Sequence, residues 1–421
     1  MTQPGIGGGG FMGLAIEMLT PPVIAGSATA GGALTAGAYK YYVTATNAVG
    51  ESTVSNEVTV TTAAGNLTAH ITWPAVSGAT GYKVYRTAAA GGTGTELLRA
   101  TLGNVLLYDD VAVGSPSGAF PTVNTALAYG TYTAPTKFFP FNTESLKFEQ
   151  ATVWRRPIRQ SVDVLSGVPG NVHISGDVEM EAMEDVLIYF LLASRVAASK
   201  TGTTDKVYTF DPTPNATPAL SLSLTVVRNN EVFGYTGCVV SSFTFTPSDG
   251  LLMFNVSIIG SDEAEHSTPS PVYTTTDPFG AGEYKVSIAG TQVFDTDTFE
   301  FTVNDNAEPQ FRLKNTGRGA QYVKFGERES TITMERDFFN RDEYDDFKTL
   351  TEEVIFLRAE RSATNYVQIN APVSIKNTYE VGLSGQGDLV RASIEYINVV
   401  DASGNSYTIE VGTQENIVQV T

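Results

Sequence analysis

Hydrophobic residues recur at alternate positions through Val172, Ile174, Val178 and Met180, the period of a strand with one buried face. The period then lengthens. Met183, Val186, Leu187, Phe190 and Leu191 fall at helical spacing, and Glu184 and Asp185 sit near the start, where negative charge favours a helix. After a polar loop, Leu220, Leu222, Leu224 and Val226 alternate with Ser221, Ser223 and Thr225. Phe243 and Phe245 lead into Pro247–Ser248–Asp249–Gly250, and Leu252, Phe254, Val256 and Ile258 return on alternate positions. That pattern predicts a hairpin.

Residues 330–397 repeat the order. Ile332 and Met334 alternate, and a short helix is predicted to carry Tyr344, Phe347 and Leu350, with Asn340 and Glu343 spaced as a capping box. Ile355, Leu357 and Ala359 form the next predicted strand. Val373, Ile375, Tyr379 and Val381 approach a turn at Ser384–Gly385–Gln386–Gly387–Asp388, and Val390, Ala392, Ile394 and Tyr396 return. Few residues are identical, so the repeat lies in the order of elements: a duplicated β-α-β-β-β module. Residues 261–282, rich in Ser, Thr and Pro, read as a linker between the copies. A hairpin around Gly404–Asn405 closes the second copy. The predicted fold class is mainly β, each module an α+β unit with one flanking helix.

Between about Leu19 and Ala126 the pattern changes to short alternating strands of small residues, with turn signals every ~8–12 positions, as in a β-sandwich. Removing residues 20–126 joins Gly13–Leu14–Ala15–Ile16–Glu17 almost directly to Tyr129–Gly130–Thr131. The sandwich therefore reads as an insertion into a surface loop, which costs little closure entropy. The expected domains are 1–19 with 127–260 as a discontinuous first module, 20–126 as the insert, 261–282 as the linker and 283–421 as the second module.

Composition narrows the function. The 421 residues carry a formal net charge of −19, and residues 20–126 hold only four basic and five acidic residues, so nearly all of it lies elsewhere. Such a surface repels nucleic acid; it serves solubility or lets a polyanion pass without sticking. The single cysteine, Cys238, excludes an intrachain disulfide framework and is expected to pack as a small apolar group. The N-terminus lacks a basic n-region, and no signal peptide is expected. The longest apolar run, Val186–Ala193, is too short to cross ~30 Å of bilayer, so no membrane insertion is expected. His70, His173 and His266 stand apart, which argues against a zinc site or a Cys/His nucleophile. Gly7–Gly10 lacks the strand before and the lysine after that a phosphate loop needs. Asp295, Asp297, Asn304, Asp305 and Asn306 match no standard calcium loop and read as a solvated turn. No catalytic, cofactor or metal residues are assigned.

Two resemblances follow. Trp73, Tyr82-x-Val84-Tyr85 and the run from Tyr41 to Asn47 with Gly50–Glu51–Ser52 resemble a fibronectin type III-like domain, with the Trp strand and the Val-Thr-Ala-Thr-Asn strand in reversed order, which implies a rearranged sandwich. Residues 11–18 with 127–260, and more loosely 283–400, resemble the tail tube proteins of long-tailed bacteriophages. The matching stretches are Gly13–Glu17 with Tyr129–Thr131, Pro135 with Phe138–Phe139–Pro140, Gly176-Asp177-Val178-Glu179 before the helix, and Gly237–Cys238–Val239–Val240 with its hairpin and Gly260.

The tail tube resemblance implies a structural virion protein, made in the host cytoplasm, whose rings stack into a pipe for the DNA genome. Two modules per chain imply a homotrimeric ring with pseudo-sixfold symmetry, the insert decorating the outside with weak contact to host-surface glycans. Implied partners are further copies, the tape measure, tail terminator and distal tail proteins, and passing DNA without specific binding. It also implies that the long basic segment in each copy reaches a neighbouring ring. Its candidate contact residues are Trp154, Arg155, Arg156 and Arg159 in the first copy and Arg312, Lys314 and Arg318 in the second, facing acidic pairs such as Glu352–Glu353 or Asp345–Asp346. The alternatives are a glycan-binding adhesin using residues 20–126, or a glycan hydrolase on the tail built on a pair of carboxylates.

Overall fold

The alternating stretches become strands in the computed structural model, which describes residues 10–112, 114, 116–158, 163–212, 220–312, 317–383 and 389–417. The fold is mainly β, and among the described residues two α-helices interrupt the strands, Glu184–Leu192 (α1) and Asp342–Thr349 (α2). The expected turn at 384–388 lies outside the described residues. The chain forms two compact units, one of Met1–Ile16 with Ala134–Thr421, the other of Glu17–Thr133.

In the unit of Glu17–Thr133, the strands Ala25–Thr29, Thr68–Thr72 and Leu107–Asp110 form one sheet. Val58–Thr62, Gly37–Thr46, Gly81–Arg86 and Leu97–Leu102 form a second. Tyr41, Val43, Trp73, Tyr82 and Val84 fill a common core. Inside it, Asp110 is fully buried and accepts from Arg86 Nη1 at 2.7 Å and Tyr41 Oη at 3.1 Å, so its charge keeps its partners. The ends of the unit meet: Leu19 N–H donates to Ala126 O at 2.8 Å, and Gly130 N–H to Glu17 Oε2 at 2.6 Å. Close termini are what an insertion into a loop requires.

In the larger unit, the strands of its first and second halves are joined by the same pairings. Phe11–Ile16 pairs with Leu222–Arg228, which pairs with the long strand Glu231–Ser248. That strand pairs with Leu251–Gly260 and with Asp262–Glu265. Leu251–Gly260 pairs in turn with Ser166–Glu181, and this with Lys147–Arg155. In the second half, Tyr284–Ile288 pairs with Glu352–Ser362 and this with the long strand Asn365–Gly382. Asn365–Gly382 pairs with Arg391–Asn398 and with Thr408–Thr413. Arg391–Asn398 pairs with Glu329–Asp337, which pairs with Thr296–Asn304. Both long strands carry a bulge, at Ser241 and at Asn377.

The hairpin expected at Pro247–Gly250 is a two-residue turn with Ser248 opposite Leu251. Asp249 (φ 52°) and Gly250 (φ 81°) supply the positive φ values that such a turn needs. One element was hidden in the expected polar loop after α1. Ala197–Thr201 and Lys206–Asp211 form a hairpin, whose second strand pairs with Thr408–Thr413. Its signal is the alternation of Tyr208 and Phe210, both fully buried.

The two helices meet different surroundings. The helix expected from the spacing of Met183 to Leu191 is present, and every residue of α1 is buried, Glu184 and Asp185 included, so it is a core helix. No residue of α2 is buried. The capping box expected at Asn340 and Glu343 is not formed. Asn340 Oδ1 accepts from Asp342 N–H at 2.9 Å, but the Glu343 carboxylate pairs with Arg336, whose second carboxylate partner is Asp295 at 2.9 Å. A buried guanidinium needs charged partners more than the helix start needs a cap.

Phe243, Phe245, Phe254 and Phe301 stack around the junction of the two halves, with the Phe245 and Phe254 centroids 4.7 Å apart. Phe245→Ala is expected to cost about 3–5 kcal/mol, measured by chemical denaturation of the full chain. A loss under about 1 kcal/mol would contradict this packing.

Candidate assembly surfaces

The two halves of the larger unit are joined by backbone pairing. Residues 242–245 of the first long strand pair with 301–304 of the second half: Ser242 lies opposite Asn304, Phe243 opposite Val303, Thr244 opposite Thr302 and Phe245 opposite Phe301. The aromatic and aliphatic pairs share one face, and the hydroxyls of Thr244 and Thr302 bond at 2.9 Å on the other. Next to this ladder, Asp305 N–H donates to Ser241 O at 2.9 Å. The Asp305 carboxylate accepts from Arg328 Nε at 2.7 Å and has Arg195 Nη1 at 3.9 Å. Burial pushes the Asp305 carboxyl above its ordinary range, while the two guanidiniums pull the other way.

The second half also seals α1. Glu184 Oε1 accepts from Arg361 Nη2 and Asn365 Nδ2, both at 2.5 Å. Burial still holds its carboxyl above the usual range, against those partners. Asp185 Oδ2 faces Lys137 Nζ at 2.7 Å and also accepts from the Thr274 hydroxyl. Lys137 reaches Glu415 at 3.0 Å, and Tyr189 Oη donates to the same carboxylate at 3.0 Å. Burial alone pulls the Lys137 pKa down, but the two carboxylates outweigh it and leave the ammonium above its ordinary value. Charges near the helix start thus form a polar network over a core helix, in which Glu184 Oε2 and Asp185 Oδ1 stay buried without a hydrogen bond.

Of the candidate contact residues, Arg159 and Lys314 lie outside the described residues. Trp154 and Arg155 end the strand Lys147–Arg155, opposite Gly167 and Ser166, and Arg156 follows, all three exposed. The segment is therefore a long hairpin with Ser166–Glu181 where it is described, and Trp154 is 60% exposed. Arg312 stacks over the Tyr322 ring at 5.3 Å and donates to its hydroxyl. Arg318 donates to Gln150 Oε1 at 3.0 Å and Gly170 O at 3.1 Å, tying the second half's segment to the first half's hairpin. The acidic pairs named with them have other neighbours within the chain. Glu353 faces Lys376 at 2.7 Å, and Asp345 faces Lys348 at 3.4 Å. The carboxylates weighed for calcium face arginines instead of one another: Asp295 with Arg336, Asp297 with Arg391, Asp305 with Arg328.

Sequence reasoning missed the sheet edges. Lys147–Arg155 pairs only with Ser166–Glu181, and residues 376–382 pair only with Arg391–Asn398, so among the described residues each has one edge without a strand. Around the second edge the surface is apolar. Leu383 is 84% and Leu389 66% exposed, and Val381 and Ile397 are exposed to a lesser degree. An open edge beside exposed apolar side chains is able to pair with a further strand.

A family model described as phage tail tube protein matches residues 122–397 of the 421. No curated protein matches the chain.

Arg328→Met is expected to destabilise by roughly 3–5 kcal/mol at neutral pH, because it leaves the Asp305 carboxylate buried beside a single distant guanidinium. The sign of the pH dependence follows from the direction of that carboxyl's shift. A raised folded-state pKa means that protonation relieves the penalty, so the deficit is full at pH 7 and shrinks as the pH falls through the folded pKa. Denaturation curves of both proteins at pH 7 and pH 5 measure it; a deficit that grows on acidification would contradict this.

Proposed function

The chain belongs to the phage tail tube protein family, and we propose that it polymerises into stacked homotrimeric rings forming the DNA conduit of a long, non-contractile tail. It is a structural virion protein that assembles with itself and with other tail proteins. The tape measure, tail terminator and distal tail proteins are the expected neighbours. The observation that carries the reading is the shared strand connectivity of the two halves of the larger unit. If each half fills one place of a six-place ring, three chains close it, and closed cyclic symmetry satisfies every subunit equally.

A net charge of −19 suits a conduit, since an acidic protein does not hold a polyanion passing through it. Residues 20–126 carry almost none of that excess. They are the outward decoration in this reading, with host-surface glycans as weak ligands and no part in building the ring. No catalytic step is assigned to any residue.

Purified full-length protein imaged in negative stain is expected to show rings or tubes with threefold or pseudo-sixfold symmetry. A chain lacking residues 20–126 is expected to assemble equally well, because Leu19 and Ala126 already bond to each other at 2.8 Å. A monomer under every condition tested would contradict the reading. Loss of assembly on deletion, with the fold intact by circular dichroism, would move residues 20–126 from decoration to ring-building.

A further inference from the structure

The junction inside the chain specifies, residue by residue, a junction between chains. The two long strands can be aligned without reference to side chains. Each bulge is an extra residue, Ser241 facing the Ser257–Ile258 step and Asn377 facing the Glu395–Tyr396 step. Superposing the bulges matches Phe243 with Tyr379, Thr244 with Glu380 and Phe245 with Val381. The partner strands align through the same rungs. Ile258 lies opposite Gly176, and Tyr396 opposite Ile332, so Gly176 matches Ile332. One ladder further out, Ser175 lies opposite Lys147 and Phe301 opposite Ile332. Leu146 therefore matches Phe301, Lys147 matches Thr302, Phe148 matches Val303 and Glu149 matches Asn304.

Within the chain, 242–245 pair with 301–304. Their matches, 378–381 and 146–149, pair with no strand on that side among the described residues, although Leu146 and Tyr379 are buried and Leu146 bonds through its N–H to Glu144 and through its C=O to Arg228 and Tyr235. Phe148 is 37% and Val381 41% exposed where Val303 and Phe245 are fully buried. We propose that residues 378–380 of one chain pair antiparallel with residues 147–149 of a second copy of this chain, Tyr379 opposite Phe148 and Glu380 opposite Lys147. This rests on the ring-forming reading above and gives it a register.

The side chains supply a check that the backbone alignment did not use. On the face where the internal junction has Phe243 with Val303, the matched pair is Tyr379 with Phe148, both aromatic. On the other face, where Thr244 bonds Thr302, the matched pair is Glu380 with Lys147, opposite charges in directly facing positions. A slip of one residue would set Lys147 against an aromatic or aliphatic residue and separate Tyr379 from Phe148. Lys147 is available for the exchange: its present partner is its neighbour Glu149 at 2.9 Å, an exposed pair worth little. The interface is heterologous, edge to opposite edge, so each added chain leaves the same two edges free until a ring closes.

Charge reversal tests it in the full-length protein, with assembly followed by sedimentation velocity and electron microscopy. Lys147→Glu and Glu380→Lys, made singly, set like charges face to face at every chain junction. Each is expected to raise the concentration needed for assembly roughly ten-fold or more. The double variant K147E/E380K restores the pair with its polarity inverted and is expected to assemble as the unaltered chain does. Singles that assemble normally, or a double variant no better than the singles, overturn the register while leaving ring formation in place. An unaltered chain that never assembles overturns the ring-forming reading, and this inference with it.

Discussion

Backbone hydrogen bonding at the ends of a sheet constrains this molecule more than any single side chain does. A strand edge in water keeps its N–H and C=O groups solvated, but it stays ready to pair with any matching strand. Inside the larger unit that readiness is used where Lys206–Asp211 pairs with Thr408–Thr413, and again where residues 242–245 take up 301–304 and bind the two halves through main-chain bonds and a cluster of phenylalanines. The matching edges at 146–149 and 376–382 have no strand beside them in the chain. A protein that exposes two complementary edges is prepared either to aggregate or to assemble in a defined geometry. The bulges at Ser241 and Asn377, which fix register on both long strands, favour the defined one.

The two helices show what the junction does to its surroundings. α1 is roofed by the second half: Arg361, Asn365 and Glu415 close over Glu184, Asp185, Lys137 and Tyr189, and the helix becomes core. α2 rests on Tyr379 through the Tyr344 and Phe347 rings and has no buried residue. Elements of the same order in the chain thus end in opposite environments, because one has a following half to cover it and the other does not.

Much of the strand architecture was legible in the sequence. Alternation at Val172–Met180 and at Leu252–Ile258, and the turn at Asp249–Gly250, translate directly into ladders, because a one-sided buried strand must alternate. What failed had non-local causes. The periodicity of α1 gives the helix but not its full burial, since nothing near Glu184 announces Arg361, 177 residues on. Asn340 and Glu343 have the spacing of a capping box, but Arg336, drawn into the sheet beside Asp295, takes the carboxylate first. The hairpin ending at Asp211 was hidden by Lys, Ser and Thr around Tyr208 and Phe210. The basic residues named as contacts were a choice by charge; Arg318 bonds within the chain to Gln150 and Gly170, and the edges at 146–149 and 376–382 carry one lysine each, Lys147 and Lys376. An unpaired edge leaves no trace in a one-dimensional pattern, since it is defined by the strand that is absent.

The central claim is that the junction between the two halves is repeated between chains. Amide hydrogen exchange, compared between assembled and dissociated protein, reads it most directly, because pairing is a matter of backbone N–H groups. The account predicts protection gained on assembly within residues 147–149 and 378–380 together, with 242–245 and 301–304 protected in both states. Assembled particles in which either of the first two segments exchanges as fast as in the dissociated chain would contradict it.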